Sequence, residues 1–240
     1  MTPETHRIVG TPQPGGILVI ADHASNRVPD GIALGIDPAL LNTHIALDVG
    51  VAGVAEHMAA MPNTAAFLGN VSRLVCDFNR EEDAPGLIPV ISDGHAIPGN
   101  RLADREDRLA RFHWPYHSAL AELLDQVPPA LIVSLHSFTP MLGSRPAEAR
   151  PWHIGVLYNA DARAARLAIP LLEAEGLTVG DQQPYSGTML NATMNRHAEA
   201  RGRAYLGVEV RQDQIDTPQG QVRWAELLHR ISNRVALALG

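Results

Sequence analysis

Two continuous apolar runs, Ile17 to Ala21 (ILVIA) and Leu131 to Leu135 (LIVSL), constrain this chain more than any other feature. Neither alternates polar and apolar positions as a half-exposed strand would. Each therefore reads as a strand covered on both faces, as in a mostly parallel sheet between helical layers. Runs at Arg73 to Phe78, Ile154 to Tyr158 and Ala204 to Val210 predict further strands. Between them, apolar residues recur at helical spacing over Leu40 to Met61, Leu102 to Leu124, Ala162 to Glu175 and Gln221 to Leu239. Strands alternating with such helices predict an α/β fold, a three-layer α/β/α sandwich around a mixed, mostly parallel sheet.

No internal repeat, low-complexity tract or linker divides the chain, so residues 1–240 are expected to form one domain. A hydrophobic content of 45% supplies ample core material. The formal charge of -7 argues against a nucleic-acid or anionic-membrane partner, which would need clustered cations. Arginine carries the positive charge, and it suits bidentate carboxylate recognition. The lone cysteine, Cys76, excludes an internal disulfide and a cysteine-rich zinc module. Its apolar neighbours make it a small buried hydrophobe rather than a nucleophile. The opening MTPETHRIVG lacks the basic and apolar regions of a secretory signal, and no apolar run reaches the roughly 20 residues of a membrane span. A cytoplasmic setting is the resulting expectation. Two Pro- and Gly-punctuated stretches, Asp83 to Asn100 and Asp181 to Gly187, read as functional loops.

The chemistry concentrates at strand ends. Both apolar runs lead into a histidine, His23 in DHASN and His136 in HSFTP. Ligands of open α/β sheets bind outside the carboxyl ends of the strands, and an imidazole there is well placed to hold zinc or a similar divalent metal. One such histidine alone more often hydrogen-bonds a loop; two in equivalent positions favour a metal. In YLGVEVRQD, Leu206, Val208 and Val210 share one face, so Glu209 points to the other beside Gly207. A carboxylate in a buried strand is costly unless paired or functional, and beside activated water it is a natural general base. Its bland reading is an ion pair with Arg211. Arg80, preceded by Asn79, closes the SRLVCDFNR stretch where a substrate carboxylate could be held by a two-pronged hydrogen bond. Arg73 and Arg211 are weaker candidates for that task. His113 and His117 lie four apart in FHWPYH, but Pro115 between them argues for structural or substrate-contact roles.

Taken in order, DHASNRVP, SRLVCDFNR, ISDGHAIPGN, WPYH, SLHSFTP, RPWHIGVLYN, DQQPYSG and VEVRQD resemble the N-formylglutamate amidohydrolase family. The likeness runs from about Gly16 to Trp224. It implies a fold related to zinc carboxypeptidases and aspartoacylases, and one divalent metal, zinc, held by His23 and His136. It also implies Glu209 as general base and Asn79 with Arg80 as the substrate-carboxylate pair. The substrate it implies is a small N-acyl amino acid, N-formyl-L-glutamate, cleaved to formate and glutamate. A second substrate carboxylate would need a second cation, for which Arg73, Arg101 and Arg211 are candidates.

One departure affects the metal site. The carboxypeptidase pattern is His-x-x-Glu, whereas His23 is followed three residues on by Asn26. The candidates for the third ligand are Asn26, Asp22 beside His23, and Asp48, which shares a helix face with His44 if that stretch is helical. Two alternatives stay open: the same machinery acting on another N-acyl amino acid or short peptide, and a non-catalytic binder of an acidic metabolite.

Overall fold

A computed structural model describes residues 5–240; the first four residues of the opening stretch read above lie outside the described residues. The strands are β1 (His6–Val9), β2 (Ile17–Ala21), β3 (Thr64–Gly69), β4 (Ile91–Ser92), β5 (His95–Ala96), β6 (Leu131–Phe138), β7 (Ile154–Leu157), β8 (Val179–Asp181) and β9 (Tyr205–Arg211). Seven of them form one sheet in the order β1-β3-β2-β6-β9-β7-β8. Pairing is parallel from β3 through β2 and β6 to β9, and again between β7 and β8. The β1–β3 and β7–β9 pairs are antiparallel, which makes the sheet mixed but mostly parallel.

The helices are α1 (Val51–Ala59), α2 (Arg105–Arg108), α3 (Trp114–Gln126), α4 (Arg163–Ala174), α5 (Ala192–His197) and α6 (Pro218–Leu239). Strand alternation sorts side chains between two cores. Ile17, Val19, Leu131, Val133, Leu206 and Val208 pack against α1, α4 and α6. On the opposite face, Leu18, Ile20, Ile132 and Tyr205 pack with Tyr116, Leu120 and Leu124 of α3 and with the buried loop residues Leu74 and Val75. The predicted α/β/α sandwich is therefore present. None of the described helices is long and apolar enough to cross a membrane.

Two local expectations are corrected. Arg73 to Phe78 is a turn-containing segment, not a strand; the strand in that region is β3, which ends at Gly69 before the segment begins. Leu74, Val75, Cys76 and Phe78 are fully buried because the segment is folded into the second core, so their apolar run records burial rather than extension. The long helix expected over Leu40 to Met61 is reduced to a 3₁₀ turn (Pro38–Asn42), a loop, and α1. Gly50 ends that loop at φ 82°, and a Cβ there would lie 2.1 Å from the Ile215 carbonyl oxygen. His44 and Asp48 consequently occupy a loop and do not share a helix face. Pro115 sits in the first turn of α3, where its missing N–H is harmless, directly after a π-helical turn (Leu109–His113), so His113 and His117 do not share one regular helix interior.

The Asp83–Asn100 loop contains the β4–β5 hairpin, turned by Asp93 (φ 42°) and Gly94 (φ 81°) in the manner an Asp-Gly pair favours. Asp93 ties this hairpin to a distant loop. Its carboxylate accepts from Gly143 N at 2.8 Å, Ser144 N at 2.9 Å and the Ser144 hydroxyl at 2.5 Å. His44 Nε2 lies 2.9 Å from the same group.

Candidate metal centre and active site

His23 follows β2 and His136 lies near the end of β6, so adjacent parallel strands bring their rings to a centroid separation of 5.1 Å. Asp48 reaches both. Its Oδ2 lies 3.3 Å from His23 Nδ1 and 2.8 Å from His136 Nδ1. The Asp48 backbone N–H donates to the His23 carbonyl at 3.0 Å, which fixes the loop against the strand end. One donor atom from each of His23, Asp48 and His136 lies within 4.8 Å of the others, and all three residues are buried. Tetrahedral zinc ligands at ~2 Å from the ion stand roughly 3.3 Å apart, so this nitrogen–nitrogen–oxygen set suits such an ion. The cluster could therefore hold a metal.

The outward nitrogens of both rings also face carboxylates. Asp77 Oδ1 is 2.7 Å from His23 Nε2, and Asp22 Oδ2 is 3.5 Å from His136 Nε2, at the outer limit of a hydrogen bond. Protonation of His23 at Nε2 lets Asp77 accept while the Nδ1 lone pair points to the shared centre, whereas His136 Nε2 and Asp22 Oδ2 face each other without a hydrogen bond. Arg73 braces this arrangement, donating from Nη1 to Asp48 Oδ1 and from Nη2 to Asp77 Oδ2, both at 3.0 Å. Asp22 is held in turn by the Tyr116 hydroxyl at 2.7 Å.

Burial opposes every charge in this cluster, yet pairing overrides it. The proximity and charge of His136 keep Asp22 below the ordinary carboxylate range despite burial. Asp48 and Asp77 are lowered as well, chiefly by the charge of His23 acting against burial. Asp22 and Asp48 lift His136 to about 10, against desolvation. His23 is raised by Asp77 and Asp48 over the opposition of burial and Arg73. Such concentrated negative charge around neutral-capable imidazoles is also what attracts a divalent cation.

Glu209 lies beside this cluster. Burial lifts its carboxyl to about 7, against the pull of the nearby His136 imidazole. Arg211 is not its partner: that guanidinium bonds Asp213 at 2.7 and 3.1 Å and points to the Arg150 and Pro151 carbonyls. His23, Asp48, Arg73, Asn79, Arg80, His136 and Glu209 all border a cavity of about 130 Å³, with Tyr185 on its wall. Asn79 is fixed by accepting from Thr193 N at 3.1 Å, and Arg80 Nη1 donates to the Asn79 carbonyl at 3.2 Å. Behind them, His117 Nε2 donates to the Phe78 carbonyl at 3.0 Å and His113 Nε2 to that of Arg80 at 3.1 Å. Phe78 stacks on Tyr116 at 4.0 Å. His113 and His117 thus hold the segment that carries Asn79 and Arg80.

Of the third-ligand candidates, Asp48 joins the histidines. Asn26 does not, because its side-chain amide donates to Asn42 Oδ1 at 2.8 Å. Asp22 stands behind His136 rather than beside it. Arg211 lies outside the cavity wall, and Cys76 is buried with its thiol pushed up by desolvation. Sequence reasoning missed Asp77 because it fell inside a supposed strand, and missed Tyr185 although its loop had been singled out.

Fold and site define a three-layer α/β protein whose strand-end cluster could hold a metal ion. A family model for N-formylglutamate amidohydrolase matches residues 15–215, and the chain belongs to that family. Among solved structures, a gene product of Agrobacterium tumefaciens is similar, with 28% identity, a TM-score of 0.90, and coverage of 99% of this chain and 96% of that one. An N-formylglutamate amidohydrolase from Ralstonia eutropha shares the fold at 17% identity and a TM-score of 0.74, with 98% of both chains covered. A search of curated protein sequences returned no match.

Proposed function

We propose that this protein hydrolyses the amide bond of an N-acyl amino acid, N-formyl-L-glutamate foremost, using a divalent metal, zinc, held by His23, Asp48 and His136. The observation that carries the reading is the convergence of both Nδ1 atoms on one Asp48 oxygen, with Glu209 on the neighbouring strand. A divalent cation bound there supplies Lewis-acid activation of the scissile carbonyl and of the attacking water.

The residues of the chain divide the remaining work. Asp77 keeps the His23 imidazole in the tautomer that leaves Nδ1 free to ligate, and the Asp22 carboxylate, 3.5 Å from His136 Nε2, favours the same tautomer there by its charge. Glu209 accepts the proton of the attacking water at its carboxylate and then delivers it to the departing amine. Its raised proton affinity suits both halves of that transfer. Arg80, steadied by Asn79, binds the α-carboxylate and so orients the acyl group over the centre. An inner cavity of about 130 Å³ supports a compact acyl group such as formyl.

The test is hydrolysis of a panel of N-formyl, N-acetyl and peptidyl amino acids before and after dialysis against a chelator. Release of formate that disappears with the metal and returns with zinc is the expected result. Full activity in rigorously metal-free protein would refute the metal assignment, and preference for a peptidyl substrate would refute the acyl assignment.

A further inference from the structure

If the substrate bears a second carboxylate, a second cation must meet it, and the arginines singled out from the sequence are otherwise engaged. Arg73 bridges Asp48 and Asp77. Arg211 bonds Asp213, and Arg101 is exposed and borders neither substrate cavity. A different arginine meets the requirement.

The inner cavity continues into an outer one of about 440 Å³; His44, Arg73, Arg80 and Tyr185 border both. Arg150 lies on the outer wall with its side chain only 2% exposed. Its Nη1 donates to the Tyr185 hydroxyl at 3.1 Å and to the Thr139 carbonyl at 3.3 Å. The guanidinium carbon sits 5.0 Å from the centre of the Tyr185 ring, which fixes the plane of the fork. Among the described residues Nε has no acceptor, and Nη2 lies 3.8 Å from the Glu148 carboxylate, which is 42% exposed. A buried guanidinium with an orphaned N–H is an unfavourable arrangement in an isolated protein. It becomes favourable when a carboxylate completes the fork. Arg145 borders the same cavity, but its side chain is 71% exposed and its charge is already solvated.

We propose that Arg150, positioned by Tyr185 and Thr139, receives the side-chain carboxylate of an acidic N-acyl amino acid and is the residue that selects a dicarboxylate substrate. This rests on the N-acyl amino acid reading above. Arg80 and Arg150 border one cavity, so a single substrate would present its α-carboxylate to the first and its side-chain carboxylate to the second. Tyr185, shared by both cavities, couples the two positions.

The experiment compares zinc-loaded wild type with Arg150→Met and Arg150→Lys on N-formyl-L-glutamate and its neutral isostere N-formyl-L-glutamine. Calorimetric binding of glutarate and of butyrate is measured in parallel, and thermal melting monitors folding. The wild type is expected to favour the acid. Arg150→Met is expected to reduce the acid-to-amide ratio of kcat/KM by about 30-fold or more, mainly through KM, with partial recovery in Arg150→Lys. Glutarate binding should weaken in step, and butyrate binding should not. An unchanged ratio in a folded variant, or equal loss on both substrates, overturns the proposal. If neither formyl substrate is cleaved but glutarate binding still depends on Arg150, the hydrolytic reading fails and the carboxylate subsite stands. Glutarate binding independent of Arg150 overturns the subsite whatever the activity.

Discussion

Glu209 is the sheet partner of His136: β6 and β9 run parallel, and the two residues stand side by side in register. A carboxylate carried on a strand is held by the hydrogen-bond ladder and not by a loop. Its distance from the neighbouring imidazole is thereby set by strand spacing, about 4.8 Å between backbones. Glu209→Gln keeps the shape and removes the proton acceptor. We expect kcat to fall by about 10²- to 10⁴-fold while bound zinc is unchanged, measured by steady-state kinetics alongside elemental analysis.

Asp48 is expected to matter for metal retention more than any other carboxylate, because it joins both histidines. Asp48→Ala should yield protein that is purified with little zinc and regains little activity when zinc is added. Retention of a full equivalent of tightly bound zinc would remove Asp48 from the ligand set.

Asp77 is expected to act through His23, from which it lies 2.7 Å away. Asp77→Asn should weaken zinc binding by about 10- to 100-fold, with activity approaching the parent value at saturating zinc. Competition with a chromophoric chelator reads the affinity directly. Equal affinities in the two proteins would contradict this role.

His197 gives the fold an acid sensitivity away from the cluster. Its Nε2 lies 2.9 Å from His117 Nδ1, and burial lowers its pKa to about 4. The unfolded imidazole titrates near 6.5, so the unfolded state gains a proton first as pH falls. Stability is lost between about pH 6.5 and pH 4 and then levels off, by roughly 3 kcal/mol for this group. Urea unfolding at several pH values should show a shallower decline for a folded His197→Gln variant than for its parent.

Gly50 supplies a stability test independent of chemistry. Its positive φ and the 2.1 Å approach to the Ile215 carbonyl leave no room for a methyl group. Gly50→Ala should cost about 2 kcal/mol or more in chemical denaturation.

The architecture was legible where burial and extension coincide. ILVIA and LIVSL are strands covered on both faces, and their following histidines mark the site. Reading failed where burial occurs without extension. The Leu74–Phe78 stretch is as apolar as a strand, but periodicity cannot distinguish a buried turn from a short buried strand. That error concealed Asp77. Asp48 could be proposed but not selected from sequence, since a loop ligand has no fixed spacing from the strands it meets. Arg150 was invisible for a different reason. Its significance comes from an unpaired N–H at the edge of a cavity, and one-dimensional sequence has no counterpart of that geometry.

The three donors also have a topological consequence. Asp48 lies 25 residues from His23 and 88 from His136, so one bound ion would pin together segments that an unfolded chain holds far apart. The ion would act as a reversible cross-link. At a free concentration 1,000 times its dissociation constant, it would stabilise the fold by about 4 kcal/mol. Supply of metal would then govern how long the protein survives as well as how fast it works.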